Sequence, residues 1–323
     1  MSRIHEALKK AEQERSSSPD EAAPSRPAVL VAGSAPEKPA PSEVPTSEFR
    51  SPVLGGEIGL PAASTAAVGS DYLRFADLQQ RCAHPTWNFD PNVNIFANPA
   101  LSEHGAEQFR TLRSRLYQAR TNQTLRTLLV TSSVPGEGKT FVTVNLAQAI
   151  IRQPDRRALI IDADLRCPRV HAMLGAPSAP GLTDYLRGEA DDVRVIQHGP
   201  EGNLCMIPGG SEVTNPSELL SNGRLEALIQ RLTPVFDWII VDSPPCLPVA
   251  DASILAALCD GVLLVVKAGE TPSAVAQRSS QELQGRNIVG VVLNAVGEGH
   301  LYNSEYYHAY RYGYSSKSNS NRN

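Results

Sequence analysis

The sequence lacks the features of a secreted, disulfide-bonded or membrane-spanning protein. Its five cysteines are odd in number and scattered, and none forms a C-x-x-C pair, which favours neither a disulfide framework nor a zinc site. No apolar run approaches the roughly 20 residues that a helix needs to cross a bilayer. The charged N-terminus is unlike a signal peptide. We therefore expect a cytoplasmic protein whose membrane association would come through a partner.

The sequence also has no excess of positively charged residues. The formal net charge is -4 at pH 7, and without a basic face or stripe we expect no nucleic-acid partner. With 323 residues, 41% hydrophobic and 20% charged, the composition is that of a soluble chain that can bury one sizeable core. The sequence therefore predicts one large domain with appendages.

The composition divides the chain into four segments. Residues 1–15 are predicted to form an amphipathic helix, either a docking helix or a frayed, solvated terminus. Residues 16–67 contain nine of the 25 prolines and are rich in Ser and Ala, which predicts a disordered linker. Residues 68–299 form the predicted folded domain. Residues 300–323 hold six of the nine tyrosines, with little aliphatic material to pack around them, and are predicted to be a flexible tail.

Short apolar strands alternate with helices after Arg126. Continuous apolar runs are typical of a parallel sheet that is covered on both faces, and the helices would supply the crossovers. The pattern predicts a doubly wound, mostly parallel α/β domain. A preceding helix is predicted from Ser102 to about Arg120. The predicted strands are Thr127–Thr131, Ala158–Asp162, Leu204–Ile207, Trp238–Asp242, Val262–Val266 and Ile288–Leu293, and the later helices are Lys139–Arg152, Ser217–Arg231, Ala252–Ala257 and Ser273–Leu283.

The segment from Val130 to Thr140 runs from a predicted strand into a glycine-lysine-threonine turn. Its glycines allow backbone N–H groups to converge on phosphate oxygens, Lys139 can reach the β and γ phosphates, and Thr140 can offer its hydroxyl to Mg²⁺. The strict pattern G-x-x-x-x-G-K-[ST] fails, because Ser133 stands at its first position. The strand and helix on either side still favour a phosphate-binding loop over a purely structural turn. The predicted nucleotide-binding residues are Val134, Pro135, Gly136, Glu137, Gly138, Lys139, Thr140 and Phe141.

Two further apolar strands end in aspartate. Asp162 and Asp164 follow one strand, and Asp242 ends another. Open α/β sheets bind ligands at the carboxyl ends of their strands, where carboxylates hold Mg²⁺ and one can accept a proton from an attacking hydroxyl. Each aspartate alone could simply cap the next turn. Together with the loop they indicate a site for ATP and Mg²⁺.

These three segments resemble the Walker A, A′ and B motifs of bacterial tyrosine autokinases (BY-kinases) of capsule and exopolysaccharide biosynthesis. The matching residues are P-G-E-G-K-T at 135–140, D-A-D-L-R at 162–166 and V-D-S-P-P at 241–245. The resemblance implies a P-loop NTPase fold of the deviant Walker type, which partitioning ATPases share. It extends over about residues 102–314. The opening M-S-R-I-H-E-A-L-K-K-A is similar to an exosortase-associated subgroup.

The resemblance implies a role for each polar residue of the site. Lys139 would bind the phosphates. Thr140 and Asp242 would bind Mg²⁺, and Asp164 would help to hold the metal ion. Asp162 is the first candidate for the base that takes the tyrosine proton, although either aspartate of the pair could serve. A tyrosine hydroxyl has a pKa near 10 and is a poor nucleophile without such a base.

Three further segments match the family, and two of them imply self-association and self-modification. Glu107, Arg110 and Arg113 are similar to the family's E-x-x-R-x-x-R oligomerisation motif, which implies a ring; an ordinary solvated helix face is the alternative. N-P-S-E-L-L at 215–220 is similar to a helix start of the family. The tail resembles the family's autophosphorylated cluster; the alternatives are a sticky flexible end or an aromatic docking segment. The implied phosphoacceptors are Tyr302, Tyr306, Tyr307, Tyr310, Tyr312 and Tyr314.

The resemblance also implies partners and leaves rival functions open. A separate transmembrane polysaccharide co-polymerase would activate the kinase at the inner membrane, and a protein tyrosine phosphatase would reverse its action. The nearest rival is a positioning ATPase switch of the partitioning type, which normally carries a lysine where Val134 stands and has no tyrosine tail. An idle ring scaffold with structural nucleotide is the third possibility.

Overall fold

The structure is a computed structural model that describes residues 73–98, 102–200 and 202–296. The predicted N-terminal helix, the proline-rich linker and the tyrosine tail lie outside the described residues. The predicted helix at the start of the domain is present as Ser102–Asn122.

The described residues form helices and strands that alternate only in part. The helices are α1 (Phe75–Arg81), α2 (Ser102–Asn122), α3 (Lys139–Ile151), α4 (Val170–Leu174), α5 (Leu182–Arg187), α6 (Pro216–Leu220), α7 (Arg224–Leu232), α8 (Asp251–Ala257) and α9 (Ser273–Glu282). The strands are β1 (Thr127–Ser132), β2 (Ala158–Asp162), β3 (Gln197–His198), β4 (Leu204–Ile207), β5 (Trp238–Asp242), β6 (Gly261–Lys267) and β7 (Ile288–Asn294).

Seven strands form one sheet in the order β3-β4-β2-β5-β1-β6-β7. All neighbouring pairs are parallel except β3 with β4, which are antiparallel. The predicted doubly wound, mostly parallel α/β fold is therefore confirmed. Strands β1 and β2 both pair with β5, so the carboxyl ends of these three strands meet at the centre of one sheet edge.

The central strands are buried on both faces, as their continuous apolar runs predicted. Successive side chains of a strand point to opposite faces of the sheet. Leu129 and Ile161 therefore join one apolar cluster and Leu128 and Ile160 join the other. This two-sided burial fixes the strand ends, and with them the loops that carry the site.

Two sequence predictions need correction. The predicted helix Ser217–Arg231 is broken into α6 and α7, because Gly223 has a left-handed φ of 80°, which glycine adopts at little cost. The last strand, β7, is not covered on both faces as a continuous apolar run suggests, since Leu293 is 58% exposed. As the final strand of the sheet order, β7 lacks a second neighbour within the described residues.

The segment between α1 and α2 is attached to the helix that follows β1. The buried Asn145 of α3 accepts a hydrogen bond from the Ile95 N–H at 2.9 Å and donates to the Val93 carbonyl at 2.9 Å. Trp87 and Ile95 are buried in the same apolar cluster. Residues with only a weak sequence pattern thus support the helix that begins at the phosphate-binding loop.

Candidate active site

The phosphate-binding loop connects β1 to the first turn of α3. Gly136 and Gly138 have φ values of 86° and 90°, a left-handed conformation that residues with a side chain rarely adopt. A Cβ atom at Gly136 would meet nothing within 4 Å, so the loop backbone is open to a ligand there. Helix α3 begins at Lys139, and its first N–H groups have no partner within the helix. This arrangement suits a bound phosphate chain.

Lys139 forms an ion pair with one of the predicted aspartates. Its Nζ lies 2.7 Å from Oδ2 of Asp164, and both side chains are largely buried. Burial by itself would lower the pKa of Lys139, but the charges of Asp242, Asp164 and Asp162 outweigh it and leave the pKa raised. The lysine is therefore held in its charged form, which is the form that attracts phosphate.

Asp242 lies at the end of β5 under the first turn of α3. Its Oδ2 accepts a hydrogen bond from the Thr140 hydroxyl at 2.7 Å, and its Oδ1 accepts one from the Thr143 hydroxyl at 3.1 Å. Burial raises the pKa of Asp242 to about 6, although the Lys139 charge and the Thr140 hydrogen bond act in the opposite direction. The carboxylate and the Thr140 hydroxyl thus stand together where sequence reasoning placed the metal ligands.

Asp162 faces Asp242 across the pair of strands β2 and β5. Its Oδ2 accepts hydrogen bonds from the backbone N–H groups of Arg169 and Val170, both at 3.0 Å, at the start of α4. Its Oδ1 is buried and has no hydrogen-bond partner. Burial first, and then the neighbouring charge of Asp242, raise the pKa of Asp162 well above its ordinary value. One oxygen holds the loop and the other remains available for chemistry.

The other predicted loop residues occupy different positions. Pro135 is exposed and Val134 is partly buried. The ring of Phe141 packs edge-on against Phe109 of α2, with ring centroids 5.9 Å apart, so its side chain joins α3 to α2. The buried Ser133, which replaces the first motif glycine, has a hydroxyl oxygen without a hydrogen-bond partner.

The three residues of the predicted oligomerisation motif divide into two groups. Glu107 and Arg110 form an exposed ion pair of 3.0 Å on α2. Arg113 turns inward, and its Nη1 donates a hydrogen bond to the Ala149 carbonyl at 2.6 Å. Only the first two residues present their charges to solvent; the third ties α2 to α3.

Sequence reasoning missed three polar contacts in or near the site. Thr143 shares Asp242 with Thr140, one helical turn further along α3. Asn294 at the end of β7 donates to the Glu137 carbonyl at 2.8 Å. Arg166 binds the buried Asp251 of α8, with Nε 2.7 Å from Oδ2. Thr143 could have been inferred from its i+3 spacing, whereas the other two contacts join distant parts of the chain.

The donor set fits Mg²⁺ bound together with a nucleotide. In the part of the chain that the structure describes, no three His, Cys, Asp or Glu side chains come together as ligands for an ion. Mg²⁺ is usually held by one or two carboxylates together with waters and substrate phosphates. Asp242, Asp164 and the Thr140 hydroxyl offer that kind of partial shell. The fold and the phosphate-binding loop therefore place the protein in the P-loop class.

Comparison with known proteins identifies the family within this class. The tyrosine-protein kinase YwqD of Bacillus subtilis (strain 168) is 32% identical over 203 residues, which span 62% of this chain and 85% of that protein. The tyrosine-protein kinase etk of Escherichia coli (strain K12) is 37% identical over 207 residues, which span 64% of this chain but only 28% of etk. No protein-family model matches the chain.

A solved structure agrees with these relatives. The kinase domain of Escherichia coli tyrosine kinase ETK superposes with a TM-score of 0.61 at 36% identity, covering 68% of this chain and 84% of that chain. The chain belongs to the bacterial tyrosine-protein kinases. None of the helices within residues 73–98, 102–200 and 202–296 has the length and apolar composition to span a bilayer.

Proposed function

We propose that this protein is an ATP- and Mg²⁺-dependent tyrosine autokinase that phosphorylates its own C-terminal tyrosines between subunits and so regulates exopolysaccharide polymerisation or export. The observation that carries the proposal is the environment of the paired aspartates. Asp164 is neutralised by Lys139 at 2.7 Å, whereas Asp162 keeps one oxygen without a partner. A phosphate-binding cation and a free carboxylate oxygen thus occur in one site.

The chemistry needs a base for the tyrosine. In the proposed step, a carboxylate, with Asp162 the first candidate, takes the proton from the tyrosine hydroxyl. The phenolic oxygen then forms a bond to the γ-phosphorus, while the bond from that phosphorus to the β–γ bridging oxygen breaks and ADP leaves. The raised pKa of Asp162 makes its carboxylate a stronger base than an exposed aspartate. Both aspartates are buried, so tyrosine entry requires movement of the loop at residues 163–169.

The remaining residues of the site would position the phosphates and neutralise their charge. Lys139 and the loop N–H groups would hold the phosphates in line with the incoming hydroxyl. Thr140, Asp164 and Asp242 would hold Mg²⁺, which when bound neutralises charge that develops on the β and γ phosphates. When nucleotide binds, Lys139 would exchange its contact with Asp164 for the phosphates.

Transfer between subunits is consistent with the length of the tail. The composition predicts a flexible tail of 24 residues, and a flexible chain of that length has a root-mean-square reach of about 27 Å, which is enough to enter the site of an adjacent subunit. Full modification of six tyrosines would add a charge of about −9 to −12 to a segment that carries three basic side chains and one acidic side chain. We expect heavy phosphorylation to weaken self-association through repulsion between like charges.

The proposal includes three kinds of partner: further copies of the chain, a transmembrane co-polymerase and a phosphatase. Glu107 and Arg110 expose a charge pair that a neighbouring subunit of a ring could complement, with Arg113 fixing the orientation of their helix. A separate transmembrane co-polymerase would bring the kinase to the inner membrane and activate it, with residues 1–15 as a candidate contact. A protein tyrosine phosphatase would remove the phosphates.

The test uses the full chain with Mg-ATP, with and without the cytoplasmic segment of a candidate co-polymerase, and detects phosphotyrosine by blotting and mass spectrometry. Wild type should label tail tyrosines, while Lys139→Met and a chain that ends at residue 299 should not. Lys267→Met is the matched control, because that lysine pairs with Glu270 at 2.7 Å, and it should retain labelling.

A mixing experiment tests transfer between subunits. Active chains that end at residue 299 should label the tail of Lys139→Met chains. Asp162→Asn should reduce transfer more than it weakens MgADP binding, whereas Asp164→Asn should weaken both. ATP hydrolysis without phosphotyrosine under any condition would favour the ATPase switch, and absence of both activities would favour the scaffold.

A further inference from the structure

The side chain of Glu137 points into the protein although it belongs to the phosphate-binding loop. It is 2% exposed, and its Oε2 accepts a hydrogen bond from the Val134 N–H at 2.8 Å. Its Oε1 accepts a hydrogen bond from the Thr271 hydroxyl at 2.5 Å. Thr271 lies between β6 and α9. One carboxylate therefore closes the loop upon itself and fastens it to the neighbouring crossover.

A second contact reaches the same residue from β7. The side-chain Nδ2 of Asn294 donates to the backbone carbonyl of Glu137 at 2.8 Å. The carboxamide also lies against Gly138, where an added Cβ atom would be 2.0 Å from Nδ2. Asn294 thus occupies the space beside the loop and binds its backbone at the peptide unit between Glu137 and Gly138.

Holding the Glu137 carbonyl in place also sets the direction of the Gly138 N–H, a hydrogen-bond donor of the loop. A trans peptide unit is planar, so the N–H of Gly138 points in the direction opposite to the Glu137 carbonyl. The carbonyl is turned towards Asn294, and the Gly138 N–H is therefore turned away from it. Glycines at positions 136 and 138 leave the loop with little conformational preference of its own, so contacts from outside must select the conformation.

We propose that Asn294 is a positioning residue for nucleotide binding, which acts with Glu137 to hold the phosphate-binding loop in its open cradle. Asn294 lies outside the three motifs, at the carboxyl end of β7. The inference rests on the nucleotide site of the proposed function and is independent of tyrosine as the phosphate acceptor.

The test compares two asparagines at opposite ends of β7. Asn294→Ala removes the contact to the loop. Asn287→Ala is the matched control, because Asn287 Nδ2 donates to the Asp260 carbonyl at 2.8 Å, away from the loop. Hydrogen exchange of peptides covering residues 132–140 is measured in the nucleotide-free protein, and MgADP affinity is measured by calorimetry.

Asn294→Ala should accelerate exchange in the loop and weaken MgADP binding about 2- to 12-fold, the range expected for one neutral hydrogen bond. Asn294→Asp should weaken it further, because a carboxylate would face the Glu137 carbonyl. Asn287→Ala should change neither quantity. Wild-type loop exchange and affinity in Asn294→Ala, or equal effects of the two alanine variants, would overturn the inference.

A second variant covers the case in which Asn294→Ala does not fold. Thr271→Val keeps the shape of the side chain but removes the hydroxyl that donates to Glu137, so it should also accelerate exchange of the loop; unchanged exchange would overturn the inference. MgADP binding needs no phosphoacceptor. Loss of tyrosine transfer in the wild type would therefore refute the proposed function without affecting this test.

Discussion

Replacing Asp242 by asparagine should stabilise the nucleotide-free protein while it removes a proposed metal ligand. The carboxylate is fully buried, and burial raises its pKa from 3.8 to about 6 even though Lys139 and two threonine hydroxyls favour the charged form. Keeping this carboxylate ionised therefore lowers the free energy of unfolding of the folded protein, and an uncharged asparagine would not have this effect.

The magnitude follows from the pKa difference. A shift of about two pKa units corresponds to about 3 kcal/mol. The folded state binds the Asp242 proton more tightly than the unfolded chain, so the contribution of this carboxylate to wild-type stability decreases as the pH rises from about 4 to about 6 and stays lower above that. The carboxamide of the variant does not titrate, and Asp242→Asn should thus gain about 3 kcal/mol at pH 8 and roughly half of that at pH 5.

Urea unfolding with EDTA and without nucleotide, at pH 8 and pH 5, measures this difference. Asp77→Asn is the control, because that carboxylate is exposed on α1, and its effect should stay within about 0.5 kcal/mol. MgADP binding should be lost in Asp242→Asn, a trade of function for stability. The reasoning is refuted if Asp242→Asn is no more stable than wild type at pH 8, or if its gain is the same at both pH values.

The remaining predictions concern one arginine, one glycine and one buried histidine. Arg113→Ala should destabilise the subunit by about 1.5 to 3 kcal/mol in urea unfolding, because a charged donor to α3 is lost; Arg110→Ala should change only self-association, measured by light scattering. Gly138→Ala should abolish MgADP binding in calorimetry, because the added Cβ would be 2.0 Å from Asn294 Nδ2. Gly285 has a similar φ of 82° but no atom within 4 Å of an added Cβ, so Gly285→Ala should lower the stability by only about 1 kcal/mol. Burial lowers the pKa of His198, so its contribution to stability is complete above pH 6.5 and declines as the pH falls; His198→Gln should flatten this decline in thermal unfolding.

The centre of the fold could be predicted from the sequence because each central strand is a continuous apolar run that ends in a polar residue. This pattern fixed the carboxyl ends of β1, β2 and β5. Parallel pairing then brings those ends to one edge, which is why Asp162 and Asp242 are direct neighbours in register. Local pattern and the general geometry of parallel sheets were sufficient for these residues.

Other features depend on information that no local window contains. The periodicity across Ser217–Arg231 is helical throughout, and the break comes from a single glycine whose φ only the packed structure determines. Strand β3 has only two residues, too few for any periodic pattern. The Asn294 contact to Glu137 spans more than a hundred residues, so neither partner predicts the other.

The same limit applies to the roles of Asp162 and Asp164. They are two residues apart at the end of one apolar strand, and this spacing alone does not rank one above the other as the base. Their surroundings differ because Lys139 comes from α3 and neutralises Asp164, while the start of α4 occupies only one oxygen of Asp162. Groups whose environments differ in this way can divide acid–base and electrostatic work between them. The resemblance makes Asp162 the first candidate for the base, and our proposal that it takes this role rests on the packing of these two helices.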